Sequence, residues 1–404
     1  MRILMLTQFY PPIVGGEEIH VRNLAQVLTD RGHHVEIMTS ATESSEKGTQ
    51  LDRGVEVHYI HPSSHRLPWL YSDRDRPHAM PIADPAMSSA IGDALAGGRF
   101  DVVHAHNWIV NSALRPARQA RVPIVLTLHD YSHVCAVKRL MSRGAICPGP
   151  GLGRCIRCAA SHYGRLVGPI IVGANNTGRR ARERTIAAFV AVSSAVAQHN
   201  GLDVNDGRTF VIPNFIPDSL VDATAPPRPD GPILFVGTLV LDKGVQVLAD
   251  AFKLLPGSLR LQMMGRHVPG TELDLPAGVE LLGLQSHDVV MSVIRAARLV
   301  VVPSVWNDPC PTVVLEAMAV GRPVVGSRAG GITDMVNDGV TGRLVDPGNA
   351  PALAEAIGQL ANNSELAASY GRAGVARVEA FTASRVAADL ERVYAESVDS
   401  PLLR

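Results

Sequence analysis

Apolar runs of four to six residues punctuate the first half of the chain at regular intervals. Residues 2–7, RILMLT, read as a strand buried on both faces, the pattern of a parallel sheet. A Gly-rich turn follows at Gly15-Gly16, then a helical pattern from Glu17 to Arg31 that stops at Gly32. His34–Thr39 is the next strand, and β-like runs recur at Val55–Ile60, Val102–Ala105, Ile124–Leu128, Phe189–Ser193 and Thr209–Ile212. Helical stretches alternate with several of them, the rhythm of a doubly wound α/β sheet. A Pro-rich break, DATAPPRPDGP, spans Asp222 to Pro232, and the rhythm then restarts. Strands are predicted at Ile233–Gly237, Leu259–Met264, Val279–Leu282, Leu299–Pro303 and Pro323–Gly326, with a helix over Val245–Leu254.

Length and composition agree with two halves. At 404 residues, two domains of about 200 residues each are the natural expectation. The formal net charge is zero and aromatics make up 4%, which argues against a nucleic-acid binder that stacks bases. No apolar run of about 18 residues is present, and the start MRILMLTQFYPP lacks the long apolar stretch of a signal peptide. The expected compartment is the cytoplasm, with peripheral contact at the inner membrane face left open.

The most chemical segment is VPSVWNDPCPTVVLEAMAVGRPVVGSRAGGITDMVNDGVTGRLVDP, from Val302 to Pro347. Asp308 precedes Glu316 with seven residues between, and an apolar helix begins after Pro311. The N–H groups around Thr312, Val313 and Val314 have no intrahelical partner and form a natural anion site. Carboxylates beside it suit neutral donors such as sugar hydroxyls. Amides for a diphosphate and acids for hydroxyls is the chemistry of a nucleotide-sugar site.

This segment resembles the E-x7-E region of retaining GT-B glycosyltransferases, in particular family 4. It departs at the first acid, Asp308 instead of Glu, and at the aromatic-glycine pair, here Cys310 and Pro311. The resemblance implies two Rossmann-like domains facing a deep cleft: 1–221 on the acceptor side with a Cys-rich basic insertion at about 131–184, a linker at 222–232, a nucleotide-sugar domain at 233–380, and a last helix within 381–404 that crosses back. It implies a hexosyltransferase using a UDP- or GDP-linked sugar, a glycan or lipid-linked acceptor, and no cofactor for catalysis.

Other residues carry less information alone. Gly15 and Gly16 would let amides approach a phosphate, or merely form a tight turn; the resemblance places donor phosphate or acceptor there. In FVGTLVLDKGVQVL, Lys243 and Gly244 match the family pattern V-G-R-L-x-x-x-K-G, while Thr238 stands at its Arg. Lys243 is a point charge for the diphosphate, and Arg266 in MMGRH is the candidate substitute for the missing Arg. His129 ends a strand and matches the family His beside the donor sugar. His104 and His106 are read as supporting or acceptor-side residues. Asn214, in VIPNFIP, resembles the family P-N-G turn with Phe215 at the glycine. Asp73-Arg74-Asp75 is read as a solvated charge cluster.

Four of the five cysteines, Cys135, Cys147, Cys155 and Cys158, follow C-x11-C-x7-C-x2-C. That spacing suits a structural zinc site in a segment with little core of its own, with an iron–sulfur cluster or disulfides as alternatives. From Lys138 to Arg184 there are ten Lys or Arg against one acid, Glu183, which suggests a solvated face or attraction to anionic lipid or a polyanionic acceptor. No residue stands out as a protein nucleophile. The resemblance therefore implies a front-face retaining transfer without an obligatory metal, with Asp308 on the sugar, Glu316 on the ribose and His129 orienting. A phosphorylase or epimerase of the same fold, and a catalytically decayed partner of another transferase, are the alternatives.

Overall fold

A computed structural model describes residues 1–13, 15–42, 48–67, 78–142, 144–222, 226–268 and 270–399. The D-x-D at 73–75 lies outside them. The chain divides into two compact units: Met1–Ser142, Cys147–Pro213 and Val386–Arg404 form one, and Arg143–Ile146 with Asn214–Arg385 form the other.

The strands are β1 (Arg2–Thr7), β2 (His34–Ser40), β3 (Gly48–Asp52), β4 (Val55–Ile60), β5 (Val102–His106), β6 (Ile124–Leu128), a short pair β7 (Met141–Ser142) and β8 (Ala145–Ile146), β9 (Ala188–Ala191), β10 (Thr209–Val211), β11 (Ile233–Val236), β12 (Leu261–Met264), β13 (Val279–Gly283), β14 (Leu299–Val302), β15 (Val324–Ser327) and β16 (Gly342–Val345). The helices are α1 (Gly16–Asp30), α2 (Pro85–Ala96), α3 (Leu114–Ala120), α4 (Leu152–Tyr163), α5 (Val167–Thr185), α6 (Ser194–His199), α7 (Val245–Phe252), α8 (His287–Ala296), α9 (Thr312–Ala319), α10 (Ile332–Met335), α11 (Ala350–Ala361), α12 (Ser364–Val378) and α13 (Ala383–Val398).

The first unit holds an eight-stranded sheet in the order β10-β9-β6-β5-β1-β2-β4-β3. It is parallel except for β3, which runs antiparallel to β4. Ile3, Leu4, Met5 and Leu6 of β1 are wholly buried. That explains why β1 reads as a continuous apolar run. Its register, Arg2 with His34 through Thr7 with Thr39, aligns the carboxyl ends of β1 and β2. The chain order reverses between β1 and β5, so a crevice opens beyond their carboxyl ends. The second unit holds a six-stranded sheet in the order β13-β12-β11-β14-β15-β16, with its reversal between β11 and β14.

Three features differ from the sequence expectation. The stretch from Asn214 into the Pro-rich segment already packs with the second unit: Ile216 pairs with Thr382, Asp222 N–H donates to Ala319 O at 2.9 Å, and Arg322 Nη1 donates to Pro226 O at 2.9 Å. The Cys-rich insertion is largely the two helices α4 and α5, and it does own a core, with Ala159, Val167, Ile171 and Val172 packed on Trp108 and Ala136. Its positive charge is also smaller at the surface than ten cations suggest. Arg182 is buried, donating to Asn111 Oδ1 at 3.0 Å, Asn175 Oδ1 at 3.0 Å and His133 O at 3.1 Å.

From Val386 on, α13 belongs to the first unit. Tyr394 Oη and His104 Nδ1 lie 2.7 Å apart, and Glu391 takes a two-pronged ion pair from Arg31 at 2.7 Å. His33 adds a third bond to the same carboxylate at 2.9 Å. The Arg31 guanidinium and His33 hold the Glu391 carboxyl down at about 2.

Candidate active site

In the second unit the loops after the two central strands meet. Val305 N–H, after β14, donates to Asp242 O, before α7, at 2.9 Å. This pinning brings Lys243 Nζ to 2.5 Å from Asp308 Oδ2. Ser304 Oγ donates to the same oxygen at 3.1 Å. Asp308 is buried, so its charge requires these partners. Lys243 also stands over the Trp306 ring at 5.6 Å. The sequence reading gave Lys243 to phosphate and Asp308 to sugar as separate groups; the fold makes them one pair.

Glycines make the close approach feasible. Gly244 is left-handed, with φ of 73°, and a Cβ there would overlap the Pro303 carbonyl oxygen. Gly330, with φ of 57°, lies against the Asp308 backbone, and Gly331 N–H donates to Asp308 O at 2.8 Å. The Ala-Gly-Gly turn thus props up the acidic loop.

Helix α9 starts just beyond it. Val314 N–H turns back to Pro311 O at 3.1 Å, which leaves Thr312 and Val313 as the amides facing out of the helix start. Glu316 is its fifth residue, one turn deeper than a first-turn position. Its carboxyl is 14% exposed and stands 4.0 Å from His287 Nδ1. Burial pushes its pKa up, with His287 acting weakly the other way. Asn214 Nδ2 donates to Cys310 O at 3.2 Å, so Asn214 buttresses the loop instead of presenting its amide. Cys310 is buried. Arg266 is exposed, and Leu239 N–H donates to its carbonyl at 2.9 Å. That ladder sets Arg266 beside Thr238, the position where the family pattern has its Arg.

The first unit assembles a different site at its own strand ends. His106 Nδ1 and His129 Nε2 lie 2.9 Å apart, and the His20 ring stands 5.0 Å from that of His129. His104 is deeper, against Thr127 Oγ1 at 2.7 Å as well as Tyr394. Burial, reinforced for most of them by neighbouring histidines, keeps all four neutral: His20 falls to about 4, His104 to about 3, and His106 and His129 lie well below the usual value. His104 is therefore a core residue tying α13 to the sheet.

Residues that sequence reasoning passed over complete this site. Asn107, left-handed at φ of 55°, donates to Glu17 Oε2 at 2.7 Å and accepts from His129 N–H at 3.1 Å. Burial and the nearby Glu18 and Asp130 raise Glu17 to about 8. Burial also raises Asp130, which accepts from Ser132 N–H at 2.8 Å. Lys138 lies 4.6 Å over the Trp108 ring, and burial lowers its pKa against the pull of Asp130 and Glu17. The one available signal was position: Glu17, Asn107 and Asp130 each follow a strand's carboxyl end. Gly15 and Gly16 therefore stand among acids. The Glu18 carboxylate folds onto Gly15, an environment suited to hydroxyls more than phosphate.

Two α/β units, each with a parallel sheet and a chain reversal at its centre, are the GT-B plan, and solved structures agree on the fold. Sucrose-phosphate synthase from Thermosynechococcus elongatus superposes with a TM-score of 0.74 at 20% identity, covering 98% of each chain. Anabaena HepE, solved in complex with UDP, superposes at 0.70 with 21% identity over 98% of this chain and 100% of that one.

The chain belongs to the family 4 glycosyltransferases. The family model "Glycosyltransferase Family 4" matches residues 14–220, and the "Glycosyl transferases group 1" model matches residues 231–363. It is 30% identical to the D-inositol 3-phosphate glycosyltransferase of Pseudarthrobacter chlorophenolicus, over 95% of this chain and 91% of that protein. It is 28% identical to the phosphatidyl-myo-inositol mannosyltransferase of Mycobacterium leprae, over 98% and 96%.

Proposed function

We propose that this glycosyltransferase moves a hexose, with retention, from a UDP- or GDP-linked donor to an acceptor hydroxyl on a glycan, polyol or lipid-linked molecule. The observation that carries the reading is the Lys243–Asp308 pair at the chain reversal of the second sheet, beside a helix start that bears Glu316. The diphosphate sits on the Thr312 and Val313 amides, Lys243 and Arg266, all poised where negative charge grows as the leaving group departs. Glu316 accepts from the ribose hydroxyls. Lys243 and Ser304 both bind Asp308 Oδ2, and the same carboxylate accepts from the sugar hydroxyls. His129, neutral and held by His106, orients the transferred sugar.

The acceptor hydroxyl attacks the anomeric carbon from the face the diphosphate leaves. One C–O bond forms as the other breaks, and the acceptor proton passes to the departing phosphate oxygen. No protein nucleophile and no divalent cation is required, because Lys243, Arg266 and the amides supply the positive charge. On the acceptor side, Glu17, Asp130 and the Gly15-Gly16 turn suit a polyhydroxylated ring. Two relatives' names carry a phosphorylated inositol, which makes inositol phosphates the first acceptors to screen.

Contact with an anionic membrane is part of the reading. Among the described residues no helix is long and apolar enough to cross a bilayer. The turn between α4 and α5 and the first turn of α5, however, expose Leu166 at 85% and Ile170 at 66%, with Arg157 on α4 and Arg165 in the turn also exposed. Apolar side chains flanked by arginines suit the headgroup region.

Calorimetry with UDP and GDP on wild type and Glu316→Ala tests the donor site. One nucleotide should bind in the micromolar range and weaken at least tenfold in the variant. Equal binding by both proteins overturns the Glu316 assignment, and binding of neither overturns the donor class. NMR of the product's anomeric centre then decides retention.

A further inference from the structure

The four cysteines of the insertion come from three different places. Cys135 follows β6 on its loop, Cys147 follows the β7–β8 pair, and Cys155 and Cys158 lie one helical turn apart on α4. All four border one cavity of about 20 Å³, walled by Val134, Leu140 and Met141. All are free thiols. Four thiols from three segments thus meet at one void, with Ser142 and Arg154 as the other polar side chains of its lining.

Cys147 Sγ and Cys158 Sγ turn to the carbonyl oxygens of Gly149 at 3.4 Å and Met141 at 3.8 Å, while one amide faces the cluster. Gly151 N–H donates to Cys155 Sγ at 3.4 Å. Amides aimed at sulfur gain little from a neutral thiol but much from a charged one, and supporting bonds of this kind surround metal-bound ligands. Among the described residues, only Glu36, Glu56 and His58 bring three ligand atoms within 4.8 Å of one another. The thiols therefore stand wider apart than one ion would draw them. Binding one ion would draw the four sulfurs inward, and a several-iron cluster would bridge them across a wider span.

The loop these cysteines bracket is strained and carries a functional charge. Lys138 and Leu140 are both left-handed, with φ of 68° and 49°. Such conformations persist only where the surroundings impose them. Lys138 is fixed by its own backbone, which donates to Cys135 O at 3.0 Å and accepts from Tyr131 N–H at 3.1 Å. Its ammonium stands 4.6 Å over the Trp108 ring.

We propose that Cys135, Cys147, Cys155 and Cys158 form one four-thiolate metal site, taking zinc or an iron–sulfur cluster, that locks the loop holding Lys138 over Trp108. The site is independent of the donor reading. Lys138 is a positioned residue here, and the metal acts on it only through the loop.

The test is metal and sulfide analysis of the full chain purified anaerobically, alongside Cys155→Ser/Cys158→Ser and Cys310→Ser. About one equivalent of zinc, or about four of iron with matching acid-labile sulfide, should copurify with wild type and Cys310→Ser. The double variant should lose it. Hydrogen exchange across 131–147 should then quicken at least tenfold in the double variant, while β1 stays protected. Metal-free wild type with four reactive thiols, disulfides found by mass, or metal retained by the double variant would each overturn the site. Unchanged exchange in 131–147 overturns the locking role.

Discussion

The two sheets share one architecture and place opposite chemistry at their carboxyl ends. In the second unit the strand ends offer Lys243, Arg266 and the bare amides of α9, with Asp308 already paired. In the first they offer Glu17, Glu18 and Asp130, four neutral histidines and one buried-side cation, Lys138. Parallel strands and a chain reversal make a crevice; they do not choose its ligand. Charge does. An anion is stabilised where cations and amides converge, and a ring of hydroxyls where carboxylates and neutral imidazoles do.

The sharpest way to break the contrast is to remove the second unit's cation. Lys243→Met should cut kcat/KM by about a thousandfold, as loss of one aimed charge at a leaving group does. It also strands a buried carboxylate, so Lys243→Met/Asp308→Asn should recover stability, measured by denaturant unfolding, without recovering activity. Wild-type kinetics in Lys243→Met would remove the diphosphate role.

A middle-sized effect comes from Glu316. Burial raises its pKa, so the proton stays on over a wider range of low pH than for an exposed carboxyl. Accepting two ribose hydroxyls requires the charged form. Nucleotide affinity should therefore climb with pH through that raised range, by at most about tenfold per pH unit. Glu316→Gln should bind weakly with a flat profile. Calorimetry across pH decides; a flat wild-type profile would show that Glu316 ionisation is irrelevant.

The smallest effect belongs to the first unit. Glu17 is raised from 4.5 to about 8, so the folded state holds a proton there that the unfolded chain releases. That contribution to stability is present at low pH and is lost as pH climbs from about 4.5 to about 8. Glu17→Gln keeps the bond to Asn107 without a charge. It should be more stable than wild type above pH 8, on the order of 1 kcal/mol, with the gap closing toward acid. Melting curves at two pH values would show it, and a gap independent of pH would refute the ionisation account.

Much of this was readable in the chain. The β1 and β11 runs, the turn at Lys243-Gly244 and the acid on α9 are local patterns, and local sterics and periodicity determine them. Asp308 was legible as an acid before a helix, but not as the partner of Lys243, which lies 65 positions away. The first unit's site was the least legible. Its parts are drawn from β1, β5, β6 and the insertion, and Glu17 and Asn107 are separated by 90 positions. The basic stretch was only partly legible for the same reason, since a count of cations cannot show that Arg182 lies inside the core.

By itself the sequence determined two α/β halves, their strand runs and the helix start that offers amides to an anion, because these follow from neighbours a few residues apart. Only the tertiary structure decided which charges are paired and which are presented. It placed His104 against Tyr394 across 290 positions, turned four histidines neutral and brought four thiols to one void. Burial and the approach of distant strands set the energy of a charge, and neither is a property of a residue or of its near neighbours.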